Sequence, residues 1–494
     1  MSRPDKFPFK SIINIQKGRK PAVYLQIARQ IIQAAQQQLL LPGFKLPGSR
    51  MLSEDLQVHR KTVVAAYKEL EAQGWIEVIP NKGSFIVKPT TAPHIVPSRN
   101  SIHPAFANQT GYTFKRAMLL DKLPEPLTVG LEFTDGLPDI RIAPIGHLAN
   151  LISSVMKRKN NRRYLAYTSS EGNDYYREAL SEYLNTTRGL HLRKENILAT
   201  RGTLMAIFLI ATVLISPGDL VIVGNPGYYQ ANMIFQHAGA SLLQVPVDSH
   251  GIPTEAIREL CSRYRIRMVY LTPSHHYPTT ATMPAERRKD ILGLAAKYGF
   301  VILEDDEEYS FHYSGTPVLP LASHDTAGMV VYVSSFCKTL APGLEMGYLV
   351  APENLIEELS RHKQMIDPHG HRVMEQAMAE FMTEGELLRH LKKAVKIYHD
   401  RRDLFCSLLE QALGEYVDFK CPDGGLSVWT QWKPSINLLR MSKNCNRNGL
   451  FLPQTLLYQN EAMTAIKLGF GHLNTGELEE AVSIVKNAVM EMQR

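Results

Sequence analysis

The chain begins with hydrophobic positions that are spaced as in an α-helix. Val23, Ile27 and Ile31 recur every four residues, which predicts a helix that starts at Pro21 and stops at the Leu-Pro-Gly breaker of residues 41–43. Glutamine and arginine side chains fill another face of the same segment. The pattern is therefore that of an amphipathic helix with one buried side.

A second group of elements follows this helix after a short break. Ser49 is expected to cap a short helix, and residues 57–59 form a tight turn. A helical stripe then predicts a longer helix over residues 60–73; its members are Val63, Ala66, Tyr67 and Leu70. Residues 75–79 and 84–87 predict a β-hairpin. Two short helices joined by a turn and followed by a hairpin match the geometry of a winged helix-turn-helix DNA reader.

The larger part of the chain has a different pattern, in which helical stretches alternate with short apolar runs that suit buried strands. The runs are Leu220–Val223, Met268–Leu271, Phe300–Leu303 and Val330–Val333. This alternation predicts an α/β fold with a mainly parallel sheet covered by helices on both faces. In such sheets the active groups collect at the carboxyl ends of the strands.

Between these two patterns lies a segment that is rich in proline, threonine, serine and asparagine, which predicts an extended linker. We therefore expect three parts along the chain. They are a winged helix-turn-helix domain over residues 1–88, a linker over residues 89–127 and an α/β domain over residues 128–494, with a large subdomain at about 150–365 and a small one formed by the C-terminal part.

Composition excludes several classes of protein. Of the 494 residues 44% are hydrophobic and 21% charged, which argues against collagen-like or largely disordered chains. The longest apolar run, residues 204–215, is well short of the roughly 20 residues that cross a bilayer, and the first residues lack a secretory signal. Five scattered cysteines without a C-x-x-C pair argue against a disulfide framework or a metal site. We expect a cytoplasmic protein.

Positive charge is concentrated in the N-terminal part. Residues 1–89 hold fourteen Lys and Arg against six Asp and Glu, a net charge of +8, whereas the whole chain carries +7. Such a concentration suits a nucleic-acid partner, because neutralisation of phosphates supplies most non-specific DNA affinity. From the charge alone, a solvated basic surface is an equally good interpretation.

The order of motifs in this part resembles the winged-helix domain of the GntR family of bacterial regulators. The resemblance is carried by residues 46–50, 59–63, 67–74 and 83–85. His59 is a departure, because the family usually has Ser at that position.

The GntR resemblance implies which residues approach DNA. Arg50 and Arg60 are expected to reach phosphates or base edges, and Lys61 and Thr62 lie beside Arg60 at the exposed start of the second helix. The wing that contains Gly83 is expected to lie over the adjacent minor groove.

Two groups with complementary chemistry follow strands of the predicted sheet. Lys338 lies in a loop of small residues after one strand, and Asp305 follows another strand. Pyridoxal 5′-phosphate (PLP) chemistry needs such a pair, because a lysine amine forms the Schiff base and an acid keeps the pyridine nitrogen protonated. A lone lysine in such a loop is more often a solvated charge.

Further groups occur in an order that suits the same cofactor. Gly202 and Thr203 open an apolar helix, and a helix N-terminus with a hydroxyl group is a natural phosphate site. Tyr228 follows a strand and offers a flat face to an aromatic ring, while His275 and Tyr277 offer polar groups to a ring edge. Taken singly, each has an equally good interpretation as a cap or as a core aromatic residue.

Together these motifs resemble the fold-type I aminotransferases, and with the winged helix in front the chain resembles a MocR-type regulator of the GntR family over about residues 20–490. The resemblance implies that Lys338 is the Schiff-base lysine and Asp305 the partner of the pyridine nitrogen. It further implies that Tyr228 stacks on the ring and that Thr203 and Ser335 contact the phosphate.

Three positions depart from the family pattern. Glu345 stands where the family has an arginine that grips the phosphate, and Glu307 stands where many members have a tyrosine that touches the ring oxygen. Lys467 replaces the arginine that binds the α-carboxylate of amino-acid substrates. We expect Arg201, next to the predicted phosphate site, to supply the missing positive charge.

Two functions remain open at this point. The first is a transcriptional regulator that binds promoter DNA as a homodimer and whose aminotransferase-like domain senses PLP or an amine condensed with it. The second is a working aminotransferase that carries a DNA-binding appendage. The basic N-terminal part favours the first, and Lys467 weakens the second because lysine lacks the bidentate fork of arginine.

Overall fold

The protein is described by a computed structural model that covers residues 7–16, 18, 20–87, 108–114, 130–166 and 169–493. The chain divides into two compact units, Met1–Lys115 and Arg116–Arg494, which we call the N-terminal unit and the C-terminal unit. Apart from residues 108–114, the predicted linker of residues 89–127 lies outside the described residues. No helix within those ranges combines the length and the apolar character that a bilayer crossing requires.

The N-terminal unit consists of helices followed by a two-stranded antiparallel sheet. Its elements are α1 Phe9–Ile12, α2 Val23–Gln36, α3 Ser49–Asp55, α4 Arg60–Ala72, β1 Ile76–Ile79 and β2 Gly83–Ile86. The predicted order of helix, short helix, turn, helix and hairpin is confirmed. Helix α2 ends at Gln36, with Gln37 as its C-cap residue, and thus stops before the predicted Pro-Gly breaker.

Ser49 differs from its predicted role. It is the first residue of α3, Gly48 takes the N-cap position, and no side chain caps the helix. The Ser49 hydroxyl instead accepts a hydrogen bond from Arg60 Nε at 3.3 Å. The next helix is capped by His59, whose Nδ1 accepts from the Lys61 amide at 3.2 Å. The imidazole therefore performs the capping that a serine hydroxyl would otherwise provide.

The predicted stripe of α4 forms the centre of the N-terminal core. Val63, Ala66 and Leu70 are fully buried against Leu52 of α3 and residues of α2. The Tyr67 hydroxyl donates a 2.7 Å hydrogen bond to the carbonyl of Pro47, so the one polar atom of the stripe has a partner. The opposite face of α4 is left exposed with its basic side chains.

In the described part of the C-terminal unit the strands form three sheets. Its strands are β3 Leu131–Glu132, β4 Ile197–Thr200, β5 Leu220–Asn225, β6 Ser241–Pro246, β7 Ile266–Leu271, β8 Val301–Asp305, β9 Val330–Ser335, β10 Gly347–Val350, β11 Val417–Phe419, β12 Ser427–Trp432, β13 Leu450–Phe451, β14 Leu457–Gln459 and β15 Thr464–Gly469. Its helices are α5 Ile145–Lys157, α6 Arg162–Leu165, α7 Asp174–Arg188, α8 Gly202–Leu214, α9 Tyr229–His237, α10 Thr254–Arg263, α11 Ala285–Tyr298, α12 Glu353–Ile366, α13 Arg372–Thr383, α14 Glu386–Leu413, α15 Leu438–Arg447 and α16 Thr475–Gln493.

The main sheet has seven strands in the order β4-β10-β9-β8-β7-β5-β6. The neighbours from β9 to β6 pair in parallel, while β10 pairs antiparallel with both β4 and β9. The predicted mainly parallel sheet is confirmed. Alternate residues of β5 enter opposite cores, since Val221 and Val223 pack with α8 and α12 while Ile222 packs with α10 and α11. Helices therefore cover both faces, as the buried apolar runs predict.

A second, antiparallel sheet lies in the C-terminal part, with the order β11-β12-β15-β14. Lys467 belongs to β15 and pairs in register with Trp429 of β12. The short strand β3 pairs in parallel with β13, which fixes the segment that follows β3 beside the C-terminal part. Through this pairing, residues 133–139 are held next to the end of β15, where Gly469 donates its amide hydrogen to the carbonyl of Thr134.

The core of the N-terminal unit yields a stability prediction. Replacement Leu70→Ala removes a fully buried side chain, and we expect it to cost about 2–5 kcal/mol because a cavity remains. Hydrogen–deuterium exchange of the full chain should show faster exchange in α2 and α4 and no change in the main sheet. Val64→Ala, at an exposed position of the same helix, is the control. Equal exchange in the two variants would contradict the assigned core.

Candidate functional site

The carboxyl ends of β8 and β9 bring the two predicted key residues to one edge of the main sheet. Asp305 is the last residue of β8 and pairs in register with Val333 of the parallel strand β9. Lys338 follows the end of β9 by three residues. Both side chains are buried, Asp305 with 4% and Lys338 with 7% of its surface exposed. The sheet topology therefore juxtaposes residues that are separate in the sequence, as predicted for this edge.

A cleft surrounds this pair and contains about 430 Å³ of empty space, its open mouth included. Twelve residues line it: Asp135, Tyr228, Tyr270, Thr272, His275, Tyr277, Asp305, Asp306, Glu307, Glu308, Lys338 and Lys467. Five of the predicted site residues are among them. The sequence interpretation did not assign a role to Asp135, Tyr270 or Glu308, although Glu308 belongs to the same acidic run as Asp305.

Lys338 is surrounded by carboxylates. Its Nζ lies 3.3 Å from Glu308 Oε1 and 4.0 Å from Glu307 Oε2. Burial alone would lower the pKa of Lys338, but the negative charges of Glu308, Asp135 and Glu307 outweigh burial and raise the pKa above its ordinary value. The ammonium form is therefore strongly favoured. Lys338 in turn holds the pKa of Glu308 below its usual range, against the effect of burial.

Asp305 has one satisfied and one unsatisfied oxygen. Tyr270 donates a 2.8 Å hydrogen bond to Oδ2. Oδ1 is buried and has no hydrogen-bond partner among the residues that the structure describes. Burial raises the pKa of Asp305 well above its usual range, and the nearby Glu307 raises it further. A buried oxygen of this kind is a position at which a ligand donor would be favourable.

The predicted phosphate contacts lie around the start of α8, but a carboxylate already occupies one of them. Thr203 donates its hydroxyl to Glu307 Oε1 at 2.7 Å. Gly202 begins the helix with a φ of +72°, a conformation that glycine adopts without strain. Ser335 is the buried last residue of β9, and its Oγ accepts a 3.4 Å hydrogen bond from the amide of Cys337. Gly202, Thr203 and Ser335 are not among the twelve residues that line the cleft, whereas Glu307 is.

Arg201 is not brought into the cleft. Its Nη2 donates to Asp367 Oδ1 at 2.9 Å, and it borders a separate crevice together with Glu345 and Asp367. The hypothesis that Arg201 replaces the missing phosphate charge therefore lacks support from its position. The physical reason why Arg201 lies outside the cleft is its contact with Asp367, a residue far along the chain.

Aromatic rings form part of the wall of the cleft. The rings of Tyr228 and Tyr277 meet edge to face with centroids 4.9 Å apart. Lys467 places its Nζ 3.9 Å from the centroid of the Tyr277 ring, a cation–π contact. Burial and the charge of Lys338 lower the pKa of Lys467 to about 8. Lys467, which stands where the family has a substrate-binding arginine, thus lies over the ring of Tyr277 in the wall of the cleft.

Burial keeps two adjacent histidines, His275 and His276, in the neutral form. Burial lowers the pKa of both His275 and His276 to about 4. His275 lines the cleft, and its Nδ1 finds no partner within the described part of the chain. His276 shares a 2.8 Å hydrogen bond with Thr279 through Nδ1.

The predicted DNA-contacting residues lie on the N-terminal unit. Arg50, Arg60 and Lys61 are exposed and Thr62 is partly buried at the start of α4. Gly83 begins β2 with a φ of +117°, and a Cβ there would approach Lys45 Cε to 2.9 Å. A side chain at this turn of the wing would therefore be strained.

Comparison with known families identifies both units. The family "Aminotransferase class I and II" matches residues 146–482. The chain belongs to this family. The family "Bacterial regulatory proteins, gntR family" matches residues 23–86, so the aminotransferase-like unit follows a GntR-type helix-turn-helix domain. The predicted combination of these two parts is confirmed.

Known regulators are similar along nearly the whole chain. The probable rhizopine catabolism regulatory protein MocR of Rhizobium meliloti is 26% identical over 474 residues, which cover 94% of each chain. The HTH-type transcriptional regulator TauR of Rhodobacter capsulatus is 26% identical, with 91% of this chain and 92% of TauR covered. This aminotransferase-like chain is thus similar to HTH-type transcriptional regulators.

A solved enzyme is similar to the aminotransferase-like unit. The crystal structure of Pyrococcus horikoshii kynurenine aminotransferase matches with a TM-score of 0.68 and 26% identity, covering 74% of this chain and 92% of that chain. The unit therefore has the aminotransferase fold.

Class I and II aminotransferases depend on PLP, and the residues of this cleft fit that cofactor only in part. The unpartnered oxygen of Asp305 and the ring of Tyr228 suit a pyridine ring. The phosphate end does not fit, because Glu307 already accepts the Thr203 hydrogen bond and Glu345 replaces the usual arginine. A charged hydrogen bond contributes about 1.5–3 kcal/mol, so this loss alone would weaken binding by one to two decades.

The buried histidines predict a pH dependence. In the folded chain His276 stays neutral down to a pKa of about 4, whereas the unfolded chain binds this proton near pH 6.5. The free energy of unfolding should therefore fall as the pH is lowered from 6.5 to about 4, by up to about 3 kcal/mol for this residue.

Urea unfolding of His276→Gln between about pH 7.5 and pH 5 should show less acid sensitivity than the parent. His250→Gln, at an exposed position, is the control and should retain the sensitivity of the parent. The assignment would be wrong if both variants lost stability with falling pH as steeply as the parent does.

Proposed function

We propose that this protein is a transcriptional regulator that binds its operator as a homodimer through the winged helix and senses a small molecule in the cleft around Asp305 and Lys338. The observation that carries the proposal is the exposed, basic start of α4 in a GntR-type domain. Such a protein acts in the cytoplasm, where bacterial DNA is found. Its similarity to MocR and TauR along nearly the whole chain supports the same conclusion.

The charge and geometry of α4 suit the major groove of DNA. Arg60 and Lys61 lie at its N-terminal end, and Lys68 lies on the same exposed face two turns later. The buried stripe on the opposite side fixes the helix to the N-terminal core, so its basic face is held outward. In helix-turn-helix proteins the start of the second helix contacts base edges, and basic side chains beside it contact phosphates.

The alternative, a working aminotransferase with a DNA-binding appendage, has less support. A lysine must lose its proton before it can attack a carbonyl group, and the carboxylates around Lys338 oppose that loss. Lys467, in the position of the substrate-binding arginine, lies over the Tyr277 ring. Neither arrangement favours transamination.

The sequence-based prediction that PLP is held through Lys338 stays a prediction. Asp305 and Tyr228, which line the cleft, support it. Glu307, which accepts the Thr203 hydrogen bond, and Glu345, which replaces the family's phosphate-binding arginine, oppose it. We therefore propose sensing of a small molecule by the cleft without assigning PLP to it.

DNA binding provides the test. We expect Arg60→Ala and Arg50→Ala each to weaken binding of the full chain to the promoter fragment upstream of its own gene by about tenfold, because each removes a cationic contact. Loss of a phosphate contact should also reduce the salt dependence by about one unit of the log–log slope. Fluorescence anisotropy at several salt concentrations measures both quantities.

Arg29→Ala is the matched control, since Arg29 is an exposed arginine on α2 and is not one of the predicted DNA contacts. It should bind the fragment like the parent. If Arg50→Ala and Arg60→Ala were indistinguishable from this control, the proposed interface would be wrong.

A further inference from the structure

The end of the cleft that should receive a phosphate already contains an anion of the chain itself. Glu307 Oε1 accepts the Thr203 hydroxyl at 2.7 Å in the first turn of α8. Helix N-termini attract negative charge, because their free N–H groups and the helix dipole point toward it. Glu307 therefore takes the interaction that an external phosphate would need, and it adds a repulsive charge beside it.

The cations near this end are also occupied elsewhere. Arg201 is bonded to Asp367, and Lys363 is fully buried with hydrogen bonds from its Nζ to the carbonyls of Ser170 and Asp367. Glu345 borders the same crevice as Arg201. A phosphate dianion here would lie near the carboxylates Glu307 and Glu345. Neither Arg201 nor Lys363 would be free to balance its charge, because both already have partners within the chain.

Carboxylates outnumber cations around the cleft. The acidic residues that line it are Asp135, Asp305, Asp306, Glu307 and Glu308, against the two lysines Lys338 and Lys467. The charge of Asp306 is balanced through its Oδ2, to which Tyr332 donates at 2.8 Å and from which Arg188 Nε lies 4.0 Å away. Burial favours the neutral acid form of Asp305. Three carboxylates, Asp135, Glu307 and Glu308, then remain against two lysines, an excess of negative charge that a cationic ligand would balance.

The unpartnered oxygen of Asp305 is an independent indication of a ligand. Asp305 is 4% exposed, it lines the cleft, and its Oδ1 has no donor within the described residues. A buried carboxylate oxygen without a donor costs free energy, which a bound N–H group would recover. An ammonium group carries several such donors.

The aromatic wall suits an organic cation better than a metal ion. Tyr228, Tyr270 and Tyr277 all line the cleft, and the ammonium group of Lys467 already lies 3.9 Å from the centre of the Tyr277 ring. Aromatic faces attract organic cations and also cover their methylene groups. No group of three or more potential metal ligands with suitable geometry occurs among the described residues.

We propose that the cleft binds a small organic cation directly, a protonated amine that carries no phosphate, with Glu307 as its principal counter-ion, the unpartnered oxygen of Asp305 as a hydrogen-bond acceptor and Tyr228 against its apolar part. This inference rests on the proposed function, because it names the class of small molecule that the regulator senses. Binding is non-covalent, so Lys338 keeps its proton and its ion pair with Glu308.

Isothermal titration calorimetry of the full chain tests the proposal. The probes are butylamine, putrescine, agmatine and spermidine, compared with the uncharged 1,4-butanediol, inorganic phosphate and PLP. We expect at least one amine to bind with a Kd below about 1 mM and tighter than PLP, while butanediol and phosphate give no saturable heat. If none of the four amines binds, or if PLP binds more tightly than every amine, the proposal is overturned.

Variants locate the binding. Asp305→Asn retains an oxygen acceptor for Tyr270 but places an amide NH2 group where the unpartnered oxygen lies, and it should weaken binding of the amine at least about tenfold. Glu307→Gln retains the acceptor for Thr203 and should weaken it several-fold. Glu255→Gln, which changes an 80% exposed carboxylate on α10, is the control and should bind like the parent. Binding that neither cleft variant alters would overturn the proposal even if an amine binds.

DNA anisotropy in the same preparations separates the two proposals. Amine binding in a chain that fails to bind promoter DNA would contradict the regulator and leave the cleft assignment intact. DNA binding in a chain that binds none of the amines would contradict the cleft assignment and leave the regulator intact. Circular dichroism of each variant shows whether the fold is retained, and either cleft variant alone suffices if the other does not fold.

Discussion

The hydrogen bond from Thr203 to Glu307 places a carboxylate at the start of α8, where the sequence predicts a phosphate contact. An anion at a helix N-terminus is stabilised by about 0.3–1 kcal/mol, and more where it is partly buried. An external phosphate would have to displace this carboxylate and then remain beside it. Asp305 and Tyr228 retain the positions that the family uses for the pyridine ring, whereas Glu307 occupies the hydroxyl of Thr203, the predicted phosphate contact.

The carboxylates around Lys338 give this buried lysine a structural role. Its ammonium group is buried, so its desolvation must be balanced by Glu308, Glu307 and Asp135. Removal of one member of a buried ionic set leaves an uncompensated charge, which typically costs several kcal/mol. Lys338 and the acids therefore form a mutually dependent set. The presence of the lysine is consistent with structural and binding roles as well as with catalysis.

Local pattern predicts much of this structure. The apolar runs of β5, β7, β8 and β9 and the stripe of α4 are visible in the sequence because periodicity and burial are local properties. The placement of Asp305 and Lys338 at one sheet edge also follows, since parallel strands end on the same side. Ser49 shows the limit at a helix start, where Gly48 takes the N-cap position instead.

Long-range partners could not be predicted. Thr203 and Glu307 are separated by 104 positions, and Arg201 and Asp367 by 166, so no local signal connects them. Asp135 reaches the cleft only because β3 pairs with β13 and thereby holds the segment after it near β15. Substitutions such as Glu307 and Glu345 were visible as departures from a family pattern. Whether Arg201 compensates for them depended on tertiary contacts alone.

The most direct measurement of the central claim is the visible absorption of the full chain during titration with PLP, for the parent and for the double variant Glu307→Tyr/Glu345→Arg. For the parent, the account predicts no saturable absorption band of protein-bound PLP, because the Glu307 carboxylate already accepts the Thr203 hydrogen bond that the phosphate would need. It predicts that the double variant gains PLP affinity by at least about tenfold, since two carboxylates are removed and one charged hydrogen bond is added. Tight, stoichiometric binding of PLP by the parent, unchanged in the double variant, would contradict it.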